Sequence, residues 1–194
     1  MHNDSPEHMS VPGFLYSFFM IQVGEIRTTP PDKFRSRLQE AIYMALDNFK
    51  IPYHRVDTDE AISMEDCEAI DRKLDVHTVK TVFLCNRQQS SFYLFVMMGN
   101  KPFVTKEFSK ALGVSRVSFA PAEMMFSIMG MPVGGASVLS AVTAPEYVRF
   151  VIDKDVMAMK NMGCNDGTPF SYLKIATTDM LEYLRRCGVA WDVI

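Results

Sequence analysis

"TVKTVFLCNRQQSSFYLFVMM" (residues 78–98) decides the fold. Two runs rich in β-branched and aromatic residues, 78–85 and 92–98, flank a polar NRQQSS turn, which is the pattern of a β-hairpin. One residue resists the pattern. Lys80 stands at the head of the first run, between Val79 and Val82-Phe83-Leu84. It is either the last exposed residue before the strand enters the core or a cation that a stiff strand aims at a site. In the second case its head group is unpacked.

Working outward, 32–49 repeats Phe34, Leu38, Ala41, Ile42, Ala45 and Phe49 at helical spacing, with Pro30 and Pro31 suited to a first turn. Residues 51–57 alternate as a short strand, and Ser63 with Asp66 forms an S-x-x-D cap for a helix over 64–74. Beyond the hairpin, Thr105 is placed to cap a helix that stops at Gly113, 116–120 reads as a strand, and Pro121 opens a helix that ends at Gly130. Residues 130–142 read as a glycine turn running into a strand. Strands at 147–153 and 170–176 precede an amphipathic helix over 178–187, with Met180, Leu181 and Leu184 inward and Gly188 at its end. Strands and helices are interspersed without a strict βαβ rhythm, so the expected class is mixed α/β, a mixed sheet with helices packed around it. The length of 194 residues suits one domain. The expected organisation is an N-terminal extension over 1–30 and a body over 31–194.

A net charge of −3 argues against indiscriminate nucleic-acid binding, but the charge is unevenly spread. Residues 80–116 hold six basic side chains (Lys80, Arg87, Lys101, Lys106, Lys110, Arg116) against Glu107 alone. That stretch is either a solvated basic face or a footprint for a phosphate backbone. The apolar segment 11–24 follows Asp4 and Glu7 with no Lys or Arg, so the basic start of a signal peptide is missing. It is also too short to span a bilayer, which takes roughly 20 apolar residues. It is expected to pack on the body or on a second subunit. Cys67, Cys85, Cys164 and Cys187 form no C-x-x-C pair and, with His2, His8, His54 and His77, no zinc spacing. Free thiols in a reducing cytoplasm, with no metal, are the expectation.

No G-x-S-x-G, Walker loop, dinucleotide fingerprint or H-E-x-x-H occurs. The methionines of "EMMFSIMGM" (123–131) suit an irregular core, or a flexible pocket wall. "PVGGAS" (132–137) places two glycines where backbone N–H groups are left unshielded. It is either a tight connection or a surface that touches a ligand. "GCNDGTPF" (163–170) reads as a polar loop.

Taken in order, "ALDNFKIPYHRVD", "VKTVFLCNRQQSSFYLFVM", "KEFSKALGVSRVSFAPAEMMFSIMGMPVGGAS", "RFVIDKDV" and "TTDMLEYLRRCG" resemble the YbaK/ProX family of aminoacyl-tRNA editing domains, over about residues 33–190. The family's "KNLFL" strand falls on Lys80 and Thr81, its "LSFAS" stretch on Ser118 and Phe119, and its "PGSVSP" turn on Gly134, Gly135 and Ser137. Its "GFHP" tetrapeptide reads "GCND" here, with Asn165 where the family has His. The resemblance implies a mixed, largely antiparallel curved sheet surrounded by helices. It also implies hydrolysis of a mischarged aminoacyl-tRNA, such as alanyl or cysteinyl ester on a proline tRNA, without a cofactor. It casts Lys80 and Gly134 as catalytic, and Thr81, Ser118, Phe119, Gly135, Ser137 and Asn165 as substrate-binding. The implied partners are the acceptor end of aminoacyl-tRNA and an aminoacyl-tRNA synthetase, with no membrane. Two other readings stay open: a catalytically weak paralogue that binds aminoacyl-tRNA or an amino acid, motivated by the departures at Thr81 and Asn165, and a structural partner of a synthetase with segment 11–24 as the docking element.

Overall fold

The structure, a computed structural model, describes residues 21–194. The expectation for the apolar stretch 11–20 lies outside the described residues. In chain order the elements are α1 (Arg37–Asn48), β1 (His54–Asp57), α2 (Met64–Leu74), β2 (Val79–Asn86), β3 (Phe92–Met98), α3 (Thr105–Leu112), β4 (Val117–Phe119) and α4 (Ala122–Met129). A 3-10 turn (Val138–Thr143) follows, then β5 (Val148–Ile152), α5 (Lys154–Met157), β6 (Asn161–Asn165), β7 (Ser171–Ala176), α6 (Thr177–Arg186) and β8 (Trp191–Val193).

The hairpin becomes β2 and β3, antiparallel with Lys80 opposite Met97 and Thr81 opposite Val96. It forms the centre of a five-stranded sheet ordered β4-β2-β3-β5-β8. β4 joins antiparallel, whereas β5 and β8 add in parallel. A three-stranded antiparallel sheet, β1-β7-β6, is linked to the first by a parallel bridge between Thr78 and Gly163. Residues 21–29 run beside β1, where Gly24 N–H donates to Asp57 O at 2.8 Å and Arg27 exchanges backbone hydrogen bonds with Arg55.

Side chains alternate across a strand, and that parity sorts the core. Val79, Phe83 and Cys85 of β2 join Leu94 and Val96 of β3 in the main core, shared with Leu38, Ile42, Leu139, Leu173 and Tyr183. Val82, Leu84, Phe95 and Met97 face the other way, onto Phe108 of α3. α2 covers the outer face of the smaller sheet through Cys67, Ile70 and Leu74, against Val56 and Tyr172.

Local chemistry explains the helix ends. Ser63 and Asp66 close the expected reciprocal capping box of α2. Gly113 and Gly130 end α3 and α4 in the left-handed region, both at φ 69°. α1 starts later than the prolines suggested. Ser36 is its N-cap, accepting Gln39 N–H at 3.0 Å, because a side-chain acceptor satisfies a first-turn donor that Pro30 and Pro31 leave untouched. Thr105 does not cap α3; that position belongs to Val104, without a side-chain bond.

Two further expectations are corrected. Residues 138–142 do not form a strand. Ser137 Oγ accepts Leu139 N–H at 3.2 Å, Ser140 N–H returns to Ser137 O at 3.2 Å, and the chain coils into the 3-10 turn. A short apolar run buried all round has no periodicity to separate strand from helical turn. The polar stretch 163–170 is not all loop, since 163–165 belong to β6 and pair with 172–174.

Candidate active site

Leaving α4 through Gly130, the chain makes a tight turn in which Gly135 N–H donates to Pro132 O at 3.0 Å. Gly134 is its third residue, at φ 78°, the left-handed conformation a type II turn demands there. Gly135 is needed for a different reason: a Cβ there would lie 2.7 Å from Gly167 O and 2.9 Å from the Pro132 ring. A Cβ on Gly134 would meet Ile62 and Pro169 at 3.2 Å, so those two side chains wall the turn closely.

Asn165, the last residue of β6, holds this turn. Its Nδ2 donates to Gly134 O at 3.3 Å and Ala136 O at 3.0 Å, and its Oδ1 accepts Gly167 N–H at 2.9 Å. Ser137 Oγ, fully buried, donates to Asn165 O at 2.6 Å. The carbonyls of the turn are thus drawn towards Asn165. Among the described residues the N–H groups of Gly134 and Ala136 have no protein acceptor. Unpaired N–H groups beside a left-handed residue form a concavity that favours negative charge.

Asp166 is the neighbour that sequence reasoning missed. Its carboxylate is buried and accepts from Gln39 Nε2 at 2.7 Å, Tyr43 OH at 3.0 Å and Thr168 Oγ1 at 2.7 Å. Burial pushes its pKa above the ordinary carboxylate range, against the opposite pull of those donors. Burial first, and then the Asp166 charge, push Tyr43 up as well. The signal was present on α1, where Gln39 and Tyr43 lie one turn apart on the inward face. A polar pair there needs a buried polar partner.

The other residues singled out from sequence lie around this cluster. Lys80 Nζ donates to Lys101 O at 2.6 Å and Gly99 O at 3.4 Å, and partial burial lowers its pKa. By strand parity it shares the α3 side of the sheet with Val82 and Leu84, whereas Thr81 shares the main-core side with Phe83. No hydrogen bond among the described residues joins Lys80 to the glycine turn. The start of α2 lies between them: a Cβ on Gly99, whose carbonyl Lys80 binds, would collide with Met64 of the first turn, and one on Gly134 would press on Ile62, just ahead of the Ser63 cap. Ser118 and Phe119 lie on edge strand β4, opposite Cys85 and Leu84. The structure therefore brings together Gly134, Gly135, Ser137 and Asn165, and leaves Lys80, Thr81, Ser118 and Phe119 on neighbouring strands.

The site holds no activated thiol. Burial pushes Cys164, next to Asn165, up to about 12 and Cys67 up to about 11, so both remain protonated near neutrality. Among the described residues no three His, Cys, Asp or Glu side chains converge as metal ligands, and no helix is long and apolar enough to cross a membrane. A groove of about 960 Å³, between residues 28–30, α1 and 51–54, is lined by Tyr43 but by none of the site residues singled out from sequence.

The sequence pattern of the aminoacyl-tRNA editing domain matches residues 59–183, which include β2, the glycine turn and Asn165. The chain belongs to the aminoacyl-tRNA editing domain family. As such it is an aminoacyl-tRNA deacylase, an ester hydrolase. A prolyl-tRNA editing protein, ProX, of Acetoanaerobium sticklandii is 27% identical over 159 residues, covering 80% of this chain and 96% of the relative. Among solved structures, a candidate trans-editing enzyme for prolyl-tRNA synthetase superposes with a TM-score of 0.61 at 15% identity, covering 83% of this chain and 97% of its own. A hypothetical protein superposes with a TM-score of 0.64 at 16% identity, covering 79% and 97%. At these identities the two structures speak for the fold, and the editing domain here has the mixed α/β architecture they share.

Proposed function

We propose that this editing domain hydrolyses the ester of a small amino acid, such as alanine or cysteine, on a proline tRNA, and that the reaction takes place at the glycine turn. The observation that carries the reading is the pair of N–H groups, Gly134 and Ala136, without an acceptor among the described residues, on a turn whose carbonyls are taken up by Asn165. Hydrolysis of an aminoacyl ester requires a water to attack the carbonyl carbon while its oxygen gathers negative charge. Preorganised N–H donors lower the energy of that charge most when they need not reorient. The C–O bond to the ribose then breaks, the ribose oxygen takes a proton, and the free amino acid leaves. A ribose hydroxyl adjacent to the ester positions the water, so the chemistry needs no side-chain nucleophile.

Selection against proline is assigned to crowding beside the turn. Ile62 and Pro169 already lie 3.2 Å from where a Cβ on Gly134 would be. A wall this close penalises added methylenes by about 1–3 kcal/mol each. Lys80 contributes a positive charge at the head of β2, with one N–H left beyond the two that bind carbonyls, for the terminal phosphate or the polar groups beside it. Thr81, Ser118 and Phe119 are assigned to substrate contacts on the adjoining strands.

The reading is tested with purified protein and a panel of mischarged tRNAs. Alanyl- or cysteinyl-tRNA of the proline type should be deacylated and prolyl-tRNA spared. No release from alanyl-, cysteinyl- or seryl-tRNA at micromolar enzyme would contradict it.

A further inference from the structure

β4 is an edge strand, and between it and the turn of the β2–β3 hairpin lies a groove of about 650 Å³. Arg87 and Gln89 from the hairpin turn and Arg116, Ser118 and Phe119 from β4 and its approach line it, together with Pro121. No Asp or Glu lines the groove. Among the described residues neither arginine has a carboxylate partner. This matters in a chain of net charge −3, because most of the other cations of the basic stretch are engaged or stand elsewhere. Lys101 is held between Asp153 and Asp155, Lys80 is bound to carbonyls, and Lys106 and Lys110 belong to α3.

The groove also stands in a fixed relation to the glycine turn. α4 alone separates Pro121 from Gly130, and its eight residues span about 12 Å. Two aromatic rings stand exposed along this path, Phe119 at 60% and Phe126 at 63%. Phe119 packs against Phe103 in a T-shaped pair, with ring centroids 5.3 Å apart, which holds the ring while leaving most of it open.

We propose that this groove docks the ribose-phosphate backbone behind the 3′ end of the substrate RNA, with phosphates on Arg87 and Arg116 and an unpaired base against Phe119. Guanidinium forks match phosphate oxygens two at a time. An exposed, immobilised ring accepts a base without regard to its identity. Docked this way, the strand runs past α4 and delivers its terminal ester to the glycine turn. The inference rests on the deacylase reading above and adds where the RNA lies.

The test uses the full chain and an uncharged proline tRNA, with affinity measured across a salt series. The paired variant Arg87→Glu/Arg116→Glu should bind at least tenfold more weakly. Its plot of log affinity against log salt should be shallower by about 2, one for each lost phosphate contact. A charge-matched pair on other faces, Arg72→Glu on α2 with Arg185→Glu on α6, should change affinity less than threefold. Circular dichroism checks that all variants fold. Equal losses in the two pairs, or none in the groove pair, would overturn the docking surface while leaving deacylation standing. Absence of both tRNA binding and deacylation in the wild type would overturn the reading beneath it, and the groove with it.

Discussion

Ser137 and Asn165 hold each other's backbone. The Ser137 hydroxyl donates to the Asn165 carbonyl at 2.6 Å, and the Asn165 amide donates to the carbonyl just before Ser137, that of Ala136, at 3.0 Å. The exchange ties the glycine turn to the end of β6, although the two lie 28 residues apart in the chain. The turn keeps one shape before substrate arrives, and its N–H groups do not have to be reoriented during the reaction.

Asn165 is thus the support of the proposed oxyanion site. Asn165→Ala removes three hydrogen bonds and leaves partly buried carbonyls unpaired, so a loss of about 2–3 kcal/mol in urea unfolding is expected. Asn165→Asp keeps the acceptor for Gly167 N–H but sets a carboxylate against two carbonyl oxygens. It should deacylate at least tenfold more slowly than wild type even where it is folded. Wild-type turnover in Asn165→Asp would show that the turn does not need this clamp.

Lys80 is tested by splitting activity from stability. Lys80→Ala should lower turnover about 10²-fold, the scale of losing one preorganised charge-stabilising group. Its stability should also fall by about 1 kcal/mol, since the carbonyls of Gly99 and Lys101 lose their donor. This corrects the expectation of an unpacked head group. Lys80→Arg should restore little, because a planar fork does not replace a compact ammonium between two carbonyls. Loss of stability with normal turnover would assign Lys80 to the loop over 99–101 alone.

Asp166 makes stability depend on pH. Its folded pKa is raised chiefly by burial, so the ionised form is disfavoured in the folded state. The stability it contributes is fully present below the unfolded carboxylate value and is lost as pH rises through the folded one. Asp166→Asn is neutral throughout and lacks that dependence. Urea melts between pH 4 and 7 should show the variant gaining on wild type as pH rises. Parallel curves would mean that the donors from Gln39, Tyr43 and Thr168 offset burial, and a variant that loses on wild type as pH rises would mean that they outweigh it.

The elements legible in the sequence were those with local signatures. The β2–β3 hairpin, the Ser63–Asp66 box and the glycine stops at 113 and 130 each depend on residues a few positions apart. β6 was missed because Asn161-Met162-Gly163-Cys164-Asn165 has no β-branched residue; it is a strand because Thr78 and β7 flank it. The short β8, Trp191–Val193, is likewise made by its pairing to β5. At the site, the local PVGGAS pattern points to Gly134 and Gly135 and the family resemblance adds Ser137 and Asn165, whereas their mutual clamping came only with the fold. Asp166 stayed hidden because its partners Gln39 and Tyr43 lie more than 120 residues away.

The central claim is that a small aminoacyl ester is bound by the glycine turn, and amide chemical shifts read this directly. A non-hydrolysable alanyl-amide analogue of the RNA's terminal adenosine is titrated into labelled protein. The account predicts that the largest shifts fall on the N–H groups of Gly134 and Ala136, with smaller ones at Ile62 and Asn165. Saturable binding that leaves residues 133–137 unmoved and shifts amides elsewhere would contradict it.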